Sequence, residues 1–390
     1  MELDRVPEVA KYLSLVFLFG WIGRSTVWNF LPVFFKTHIE SVFLIGIITS
    51  IPPIITVLFD IPAGNLVQRA GEKIVVLMGL IAAIFPAFLY ITAAPVLLLL
   101  GKVFEGFTKV LVWNGSWSLT LKQSDDDVES ETVSVVLLGA NLGAVLGPIL
   151  GGYLIASEGF SITFYIWAFT SAVAVLVFYS YIGASAKKLR SSVEKLGHRK
   201  TYFDDWHHLR NNWKELRFAF GLTFLYSIIF SFYWLAVPLL LDKMGAGFEQ
   251  MGIIFGVAAL PKVFQFVFGG IADRYGKLET ISVLSLVLSL TLVGVFYVQS
   301  LIAIGVLFFV ARTFSSGMSP PVHAFYDSKV PDDIEGEMTG FFEMFKHLGQ
   351  MLGPFLAGTI ASIWSVNASF LAAAVVSLLI GGLSLVARRY

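Results

Sequence analysis

Ionisable side chains recur at helical spacing inside stretches that are otherwise apolar. Lys102, Glu105, Lys109, Trp113 and Ser116 step by three or four, placing two cations, an acid and an aromatic ring on one stripe of a helix. Thr339, Glu343, Lys346, His347 and Gln350 do the same nearer the C-terminus. Arg24 and Trp28 share a helical face, Lys262 and Gln265 share another, and Arg312 lies deep in a further apolar run. A charge held within an apolar helix is costly, so each of these residues is a candidate for gripping a charged solute or carrying a proton. The bases Arg24, Lys102, Lys109, Lys262, Arg312 and Lys346 outnumber the acids Asp60, Glu105 and Glu343, which favours an anionic ligand. Glu105 and Glu343 are the carboxyls placed to take up a proton, and His347 and His323 are further candidates to carry one. A plainer reading competes at some positions. Counted along its run, Lys102 lies near the helix end and is able to reach the interface with Glu105 as its ion-pair partner, Asp60 suits a structural network beside a loop, and His323 reads as a bystander near a loop.

The elements that position these residues follow from composition. The 390 residues are 56% hydrophobic and 14% charged, with a mean hydropathy of +0.78, which describes a membrane protein and not a soluble domain. Apolar runs of span length predict helices at roughly 12–34, 42–67, 74–95, 96–119, 132–156 and 160–183, then 216–240, 250–271, 279–299, 301–325, 336–363 and 366–387. Twelve spans put both termini on one side, and placing them in the cytoplasm leaves only Lys36 and Lys243 in the outer loops. The predicted domains are an N-terminal bundle 1–183, a polar cytoplasmic linker 184–215 and a C-terminal bundle 216–390. Trp206, Leu209, Trp213 and Leu216 suggest an interfacial helix at the linker, while the adjacent His207 and His208 do not share a helix face and predict no metal site.

Two phrases are written twice. LGAVLGPILGG at 142–152 returns as LGQMLGPFLAG at 348–358, an offset of 206, and GNLVQRAG at 64–71 returns as GGIADRYG at 269–276, an offset of 205. Matching offsets predict two similar six-helix halves. Gly139, Gly143, Gly147 and Gly151 bare one face of the fifth helix for close packing, and Gly349, Gly353 and Ala357 copy this in the eleventh. Pro148 and Pro354 predict a bend at corresponding points.

Gly269, Ile271, Ala272, Asp273, Arg274, Gly276 and Lys277 resemble the cytoplasmic signature loop of the major facilitator superfamily, and Gly64, Leu66, Arg69, Gly71 and Lys73 resemble its first-half copy. There Gln68 stands where the family has Asp, and Asp60-Ile61-Pro62-Ala63-Gly64 resembles the run leading into the loop. Gly143, Gly147, Pro148, Gly151 and Gly152 resemble the fifth-helix motif of the family's proton-coupled antiporters, and Lys102 with Gly106 resembles its fourth-helix basic motif. The resemblance implies an all-α polytopic membrane fold of twelve transmembrane helices in two pseudo-symmetric bundles, working by alternating access. It also implies a cytoplasmic charge network at the loops, in which Gln68 cannot act and Asp273 with Arg274 would carry more of the load.

Other classes fit less well. Zero cysteines exclude disulfides and thiolate chemistry. Gly270 to Lys277 misses the phosphate-loop spacing and is followed by Leu278, and no constellation at catalytic spacing suggests an enzyme or a cofactor. The expectation is a secondary transporter in the plasma membrane, monomeric, moving a small molecule with protons and binding no nucleic acid. An organic anion held by Arg24, Lys262 and Arg312 is the favoured substrate. A proton-driven exporter of amphipathic drugs and a transport-dead sensor are the alternatives.

Overall fold

The computed structural model describes residues 6–124, 128–183, 201–331 and 334–389. These residues are almost wholly helical, with no strand among them. Helix is the form in which an isolated segment satisfies its own backbone in lipid. In chain order the helices are α1 (Glu8–Trp28), α2 (Leu31–Lys36), α3 (Val42–Ala70), α4 (Glu72–Ala82), α5 (Phe85–Ile91), α6 (Pro95–Gln123), α7 (Glu129–Glu158), α8 (Phe160–Val177), α9 (Thr201–Lys243), α10 (Phe248–Ala259), α11 (Phe266–Tyr275), α12 (Lys277–Tyr297), α13 (Leu301–Gly317), α14 (Ser319–Asp327), α15 (Glu335–Ile363) and α16 (Val366–Ala387).

Among the described residues, eight stretches are long and apolar enough to cross a membrane by themselves, and the bent stretch from Phe248 to Tyr275 makes nine. The other three predicted spans are α1, α6 and α15, with 21, 29 and 29 residues. They have the length to span, but they carry Arg24, then Lys102, Glu105 and Lys109, then Glu343 and Lys346. These three helices hold Arg24, Glu105, Lys109, Glu343 and His347, whereas Arg312 and Lys262 lie in spans that are apolar enough by composition.

α7 and α15 run unbroken through Pro148 and Pro354. The interruptions come instead at Pro32, Pro86, Pro261 and Pro320, each in the first turn of a new helical segment, where a missing amide costs nothing. The third span is thereby split into α4 and α5, the tenth into α13 and α14, and the eighth by a 3₁₀ turn over Leu260–Phe264. The stretch 184–200 of the expected linker lies outside the described residues, and the helix expected beyond it is the first part of the single helix α9.

Two compact units emerge. One comprises Met1–His38, Ile54–Gly197 and Gly247–Gly256; the other comprises Ile39–Pro53, His198–Ala246 and Val257–Tyr390. In the first unit α1 lies along α7 on the glycine stripe. A Cβ at Gly143 would sit 2.7 Å from the Ile22 amide nitrogen, one at Gly147 would sit 2.5 Å from Ser25 Cβ, and those at Gly139 and Gly151 would collide with the carbonyl oxygens of Ser14 and Thr26. Gly152 meets Gly252 in the same way, its Cβ falling 3.0 Å from the opposing Cα. In the second unit α9 lies along α15, with Gly349 and Gly353 against Phe224, Ile228 and Ser231. Serines join α12 to α16: Ser377 Oγ donates to the Ser285 carbonyl at 2.7 Å and Ser289 Oγ to the Ala374 carbonyl at 3.0 Å. Close backbone approach and interhelical hydrogen bonds replace the hydrophobic drive that lipid does not supply.

Candidate functional site

Four donors from three helices converge on one carboxylate in the first unit. Glu105 Oε1 accepts from Lys102 Nζ at 2.8 Å and from the Tyr90 hydroxyl, and Oε2 accepts from Arg24 Nη2 at 3.2 Å and Trp28 Nε1 at 3.0 Å. The Glu105 and Lys102 side chains are 1% and 4% exposed. Two cations facing one carboxylate leave the cluster formally positive. Arg24 Nε is buried and has no acceptor among the described residues. The Lys102 ammonium also lies 5.5 Å from the Phe35 ring centre and 5.9 Å from that of Tyr90, and the Arg24 guanidinium lies 5.0 Å from that of Trp28. These aromatic faces add cation stabilisation where water is scarce.

The sequence builds this cluster in steps. Lys102 and Glu105 sit one turn apart on α6, so their side chains meet without long-range help. Bare glycines let α1 approach α7 and so fix where Arg24 and Trp28 stand. Gly101 leaves room for Tyr90 across α6, since a Cβ there would lie 2.8 Å from Tyr90 Cζ. Arg24 lies opposite Glu105, Trp28 beside Lys102, and Phe17 against Trp113. Residue numbers rise along α1 as they fall along α6, so the two helices face each other antiparallel. Lys109 and Trp113 continue the α6 stripe.

The second unit holds a different set. The Arg312 guanidinium lies 5.0 Å from the Phe230 ring centre and 5.6 Å from that of Tyr233. Tyr233 Oη is buried with no hydrogen-bond partner among the described residues. Glu343 pairs with Lys346, and His347 Nε2 lies 3.9 Å from Glu343 Oε2. His323 is near them as well as near its loop, with its ring centre 5.1 Å from that of Phe342. Lys262 stands exposed on the 3₁₀ turn packed against α13, and no acid pairs with it among the described residues.

The signature loops serve their own units. Gly71 and Gly276 adopt φ of +89° and +102°, the left-handed region that glycine reaches without strain. After Gly71, Lys73 Nζ donates to the Ile182 carbonyl at 2.7 Å and Glu72 pairs with Lys122. After Gly276, Lys277 Nζ donates to the Ala324 carbonyl at 2.8 Å and Glu279 pairs with Arg388 at 3.0 Å. Each loop thus uses a base and an acid to hold two neighbouring helix ends, but the roles are exchanged: the base reaches the unit's sixth span in the first half and the fourth span of its half in the second. Asp60 Oδ1 accepts from Asn114 Nδ2 at 3.0 Å. Arg69 and Asp273 are exposed, and the Arg274 guanidinium lies 5.3 Å from the Tyr275 ring centre. Asp273 makes no ion pair among the described residues. Gly64 and Gly269 have no atom within 3.5 Å of an added Cβ.

Sequence reasoning missed Tyr90 and the burial of Lys102. The glycine at 101, one residue before the lysine, was the available signal for a ring laid across the helix.

A polytopic helical protein with charged clusters inside its spans is of a kind that moves charged solutes or ions across a membrane. The chain matches the sequence profile of the Major Facilitator Superfamily over residues 13–348 and again over 219–390, and it belongs to that family. It is 26% identical to the uncharacterized MFS-type transporter YuxJ of Bacillus subtilis over 260 residues, 65% of each chain. It is 24% identical to the multidrug resistance protein MdtG of Escherichia coli over 380 residues, 91% of this chain and 90% of that one. In fold it is similar to the human organic anion transporter MFSD10, with a TM-score of 0.68 at 17% identity, covering 97% of this chain and all of that one. The chain is therefore a multi-pass secondary transporter of the superfamily, and its kin act on small molecules.

Proposed function

We propose that this protein is a proton-linked transporter of a small organic anion, monomeric and without enzymatic activity, in the plasma membrane with both termini cytoplasmic. The observation that carries the reading is the saturation of Glu105 by Arg24, Trp28, Tyr90 and Lys102. Without substrate, the glutamate supplies the negative charge that buried Lys102 and half-buried Arg24 require. A proton on Glu105 cancels that charge and leaves Arg24 and Lys102 to an external anion. Proton and anion then favour each other's binding, and by linkage the effect is mutual. Such a pair moves in the same direction across the membrane. Arg312, Lys262 and Lys346 supply further positive charge in the second unit, beside Glu343 and His347. The distribution of Lys and Arg between loops supports the orientation.

A second reading has support of its own. The similarity to MdtG along most of the chain, and the fifth-helix motif, favour proton-driven export of amphipathic compounds. In that case a cation replaces the proton at an acid, and the two ligands oppose each other.

The test is proteoliposomes with an imposed pH gradient and an internal pH reporter, challenged with pools of organic anions and, separately, of lipophilic cations. Proton movement with an anion pool and in the same direction supports the first reading. Movement opposite to a cation pool replaces it with the second, and no proton movement with either pool sinks both.

A further inference from the structure

Arg24 and Lys102 each reach Glu105, whereas Arg312 and Lys262 of the second unit reach no acid among the described residues. The Arg312 guanidinium is flanked by the Phe230 and Tyr233 rings, its carbon 5.0 and 5.6 Å from their centres, and it makes no ion pair or hydrogen bond among the described residues. Lys262, on the 3₁₀ turn packed against α13, lies within electrostatic reach of the like charges of Arg312 and Lys346. Glu343 is committed to Lys346. Neither unpaired cation escapes to the membrane surface. Lys262 is at the middle of the stretch Phe248–Tyr275 and Arg312 is well inside Leu301–Asp327, each more than about 15 Å along the chain from either end, which is too far for a side chain to snorkel. Two like charges side by side within apolar spans are costly until an anion joins them. The rings stabilise Arg312 but offer no lone pair to its N–H groups, so its forked donors stay available to a carboxylate. Tyr233 adds a hydroxyl that is buried with no partner among the described residues.

We infer that the second unit holds a dianion site and that the substrate is a short dicarboxylate, one acid group paired with Arg312 and the other with Lys262. This rests on the anion reading above and narrows its substrate class. The charge count carries the choice: a monocarboxylate offsets one of the two unpaired cations and leaves the other facing like charge, whereas a dicarboxylate offsets both. Arg312 and Lys262 stand on elements packed against each other, which suits a short diacid over a long one. The Tyr233 hydroxyl, on a ring that flanks the guanidinium, is a further donor to the acid group at Arg312.

The test is binding to purified full-length protein in lipid nanodiscs, measured by calorimetry. The probes are succinate and glutarate, each compared with its monoamide, succinamate or glutaramate, which keeps the shape and removes one charge; tetraphenylphosphonium serves as a lipophilic cation. The wild type is expected to bind at least one diacid about tenfold more tightly than its monoamide, the worth of one charge-assisted contact, and the ratio should shrink as salt rises. Lys262→Gln should bring that diacid to the affinity of its monoamide, and Lys262→Arg, which keeps the charge, should keep the preference. The wild-type comparison stands even where a variant does not fold. Equal affinities of each diacid and its monoamide in the wild type overturn the inference and leave the anion reading standing. A preference that survives in folded Lys262→Gln also overturns it. Binding of the cation and of none of the acids overturns the anion reading and this inference together.

Discussion

Arg24 and Glu105 are 81 residues apart in sequence and 3.2 Å apart in space. That one contact ties α1 to α6 through a charge pair of which the acid is fully buried. Its partners fix what each substitution should do.

Removing the acid alone should be far worse than removing acid and base together. Glu105→Ala leaves Lys102 buried without its counter-ion, and breaking a buried pair from one side costs about 3–5 kcal/mol. Thermal unfolding in detergent should show a large drop for Glu105→Ala and for Lys102→Met, and a loss in the Glu105→Ala with Lys102→Met double variant well below the sum of the two. Additive losses in the double variant would mean that the two side chains do not depend on each other.

The glycine stripes separate packing from chance. Gly151→Ala drives a methyl group into the Thr26 backbone, where nothing flexible is able to yield, so a cost at or above the about 1–3 kcal/mol of core overpacking is expected. Gly64→Ala meets no atom within 4 Å and lies within α3, so it should be neutral or stabilise by up to about 1 kcal/mol. Midpoints of thermal unfolding for the two variants should move apart. If they coincide, close approach of α1 and α7 is not what the stripe secures.

At the second signature loop, backbone conformation should outweigh charge. Gly276 has φ of +102°, and an alanine forced into left-handed backbone costs about 1–2 kcal/mol. Arg388 and Glu279 pair with 64% and 37% of their side chains exposed, so Arg388→Gln should change stability by less than about 1 kcal/mol. Chemical denaturation of both variants in mixed micelles checks the order. A larger loss for Arg388→Gln would contradict it.

Arg312 should not tolerate lysine. Its planar guanidinium is flanked by the rings of Phe230 and Tyr233, a setting that a compact ammonium does not reproduce. In vesicle uptake assays Arg312→Lys is expected to raise the KM for the anionic substrate about tenfold, the scale of one desolvated cation–ring contact. An unchanged KM would remove Arg312 from substrate binding.

How far the sequence discloses this arrangement depends on range. Lys102 with Glu105, and Glu343 with Lys346 and His347, were readable because one helical turn brings each set together whatever the rest of the fold does. Arg24 and Trp28 were readable as a shared face, but their common target on α6 was not, because spacing within one helix says nothing about its neighbour. Tyr90 reaches Glu105 from α5, whose start depends on the break before Pro86. Lys102 looked able to reach the interface by its place along the run, yet the Tyr90 and Phe35 rings enclose it. Proline position alone does not separate helix breaks from prolines inside a helix. Pro148 and Pro354 sit inside helices held on both sides by the glycine stripe, whereas Pro32, Pro86, Pro261 and Pro320 mark real breaks, and only knowledge of the helix boundaries separates the two cases.

The most direct test of the central claim is substrate-driven proton movement by Glu105→Gln in sealed vesicles, with a fluorescent reporter of internal pH and a labelled organic anion followed together. Glutamine keeps the shape of the carboxylate and one acceptor oxygen while removing the group that takes the proton. The account predicts that the variant still exchanges labelled for unlabelled anion but no longer moves protons with it, and that its anion uptake no longer responds to the pH gradient. Proton movement that persists at the wild-type ratio to anion would contradict the assignment of Glu105 as the coupling group.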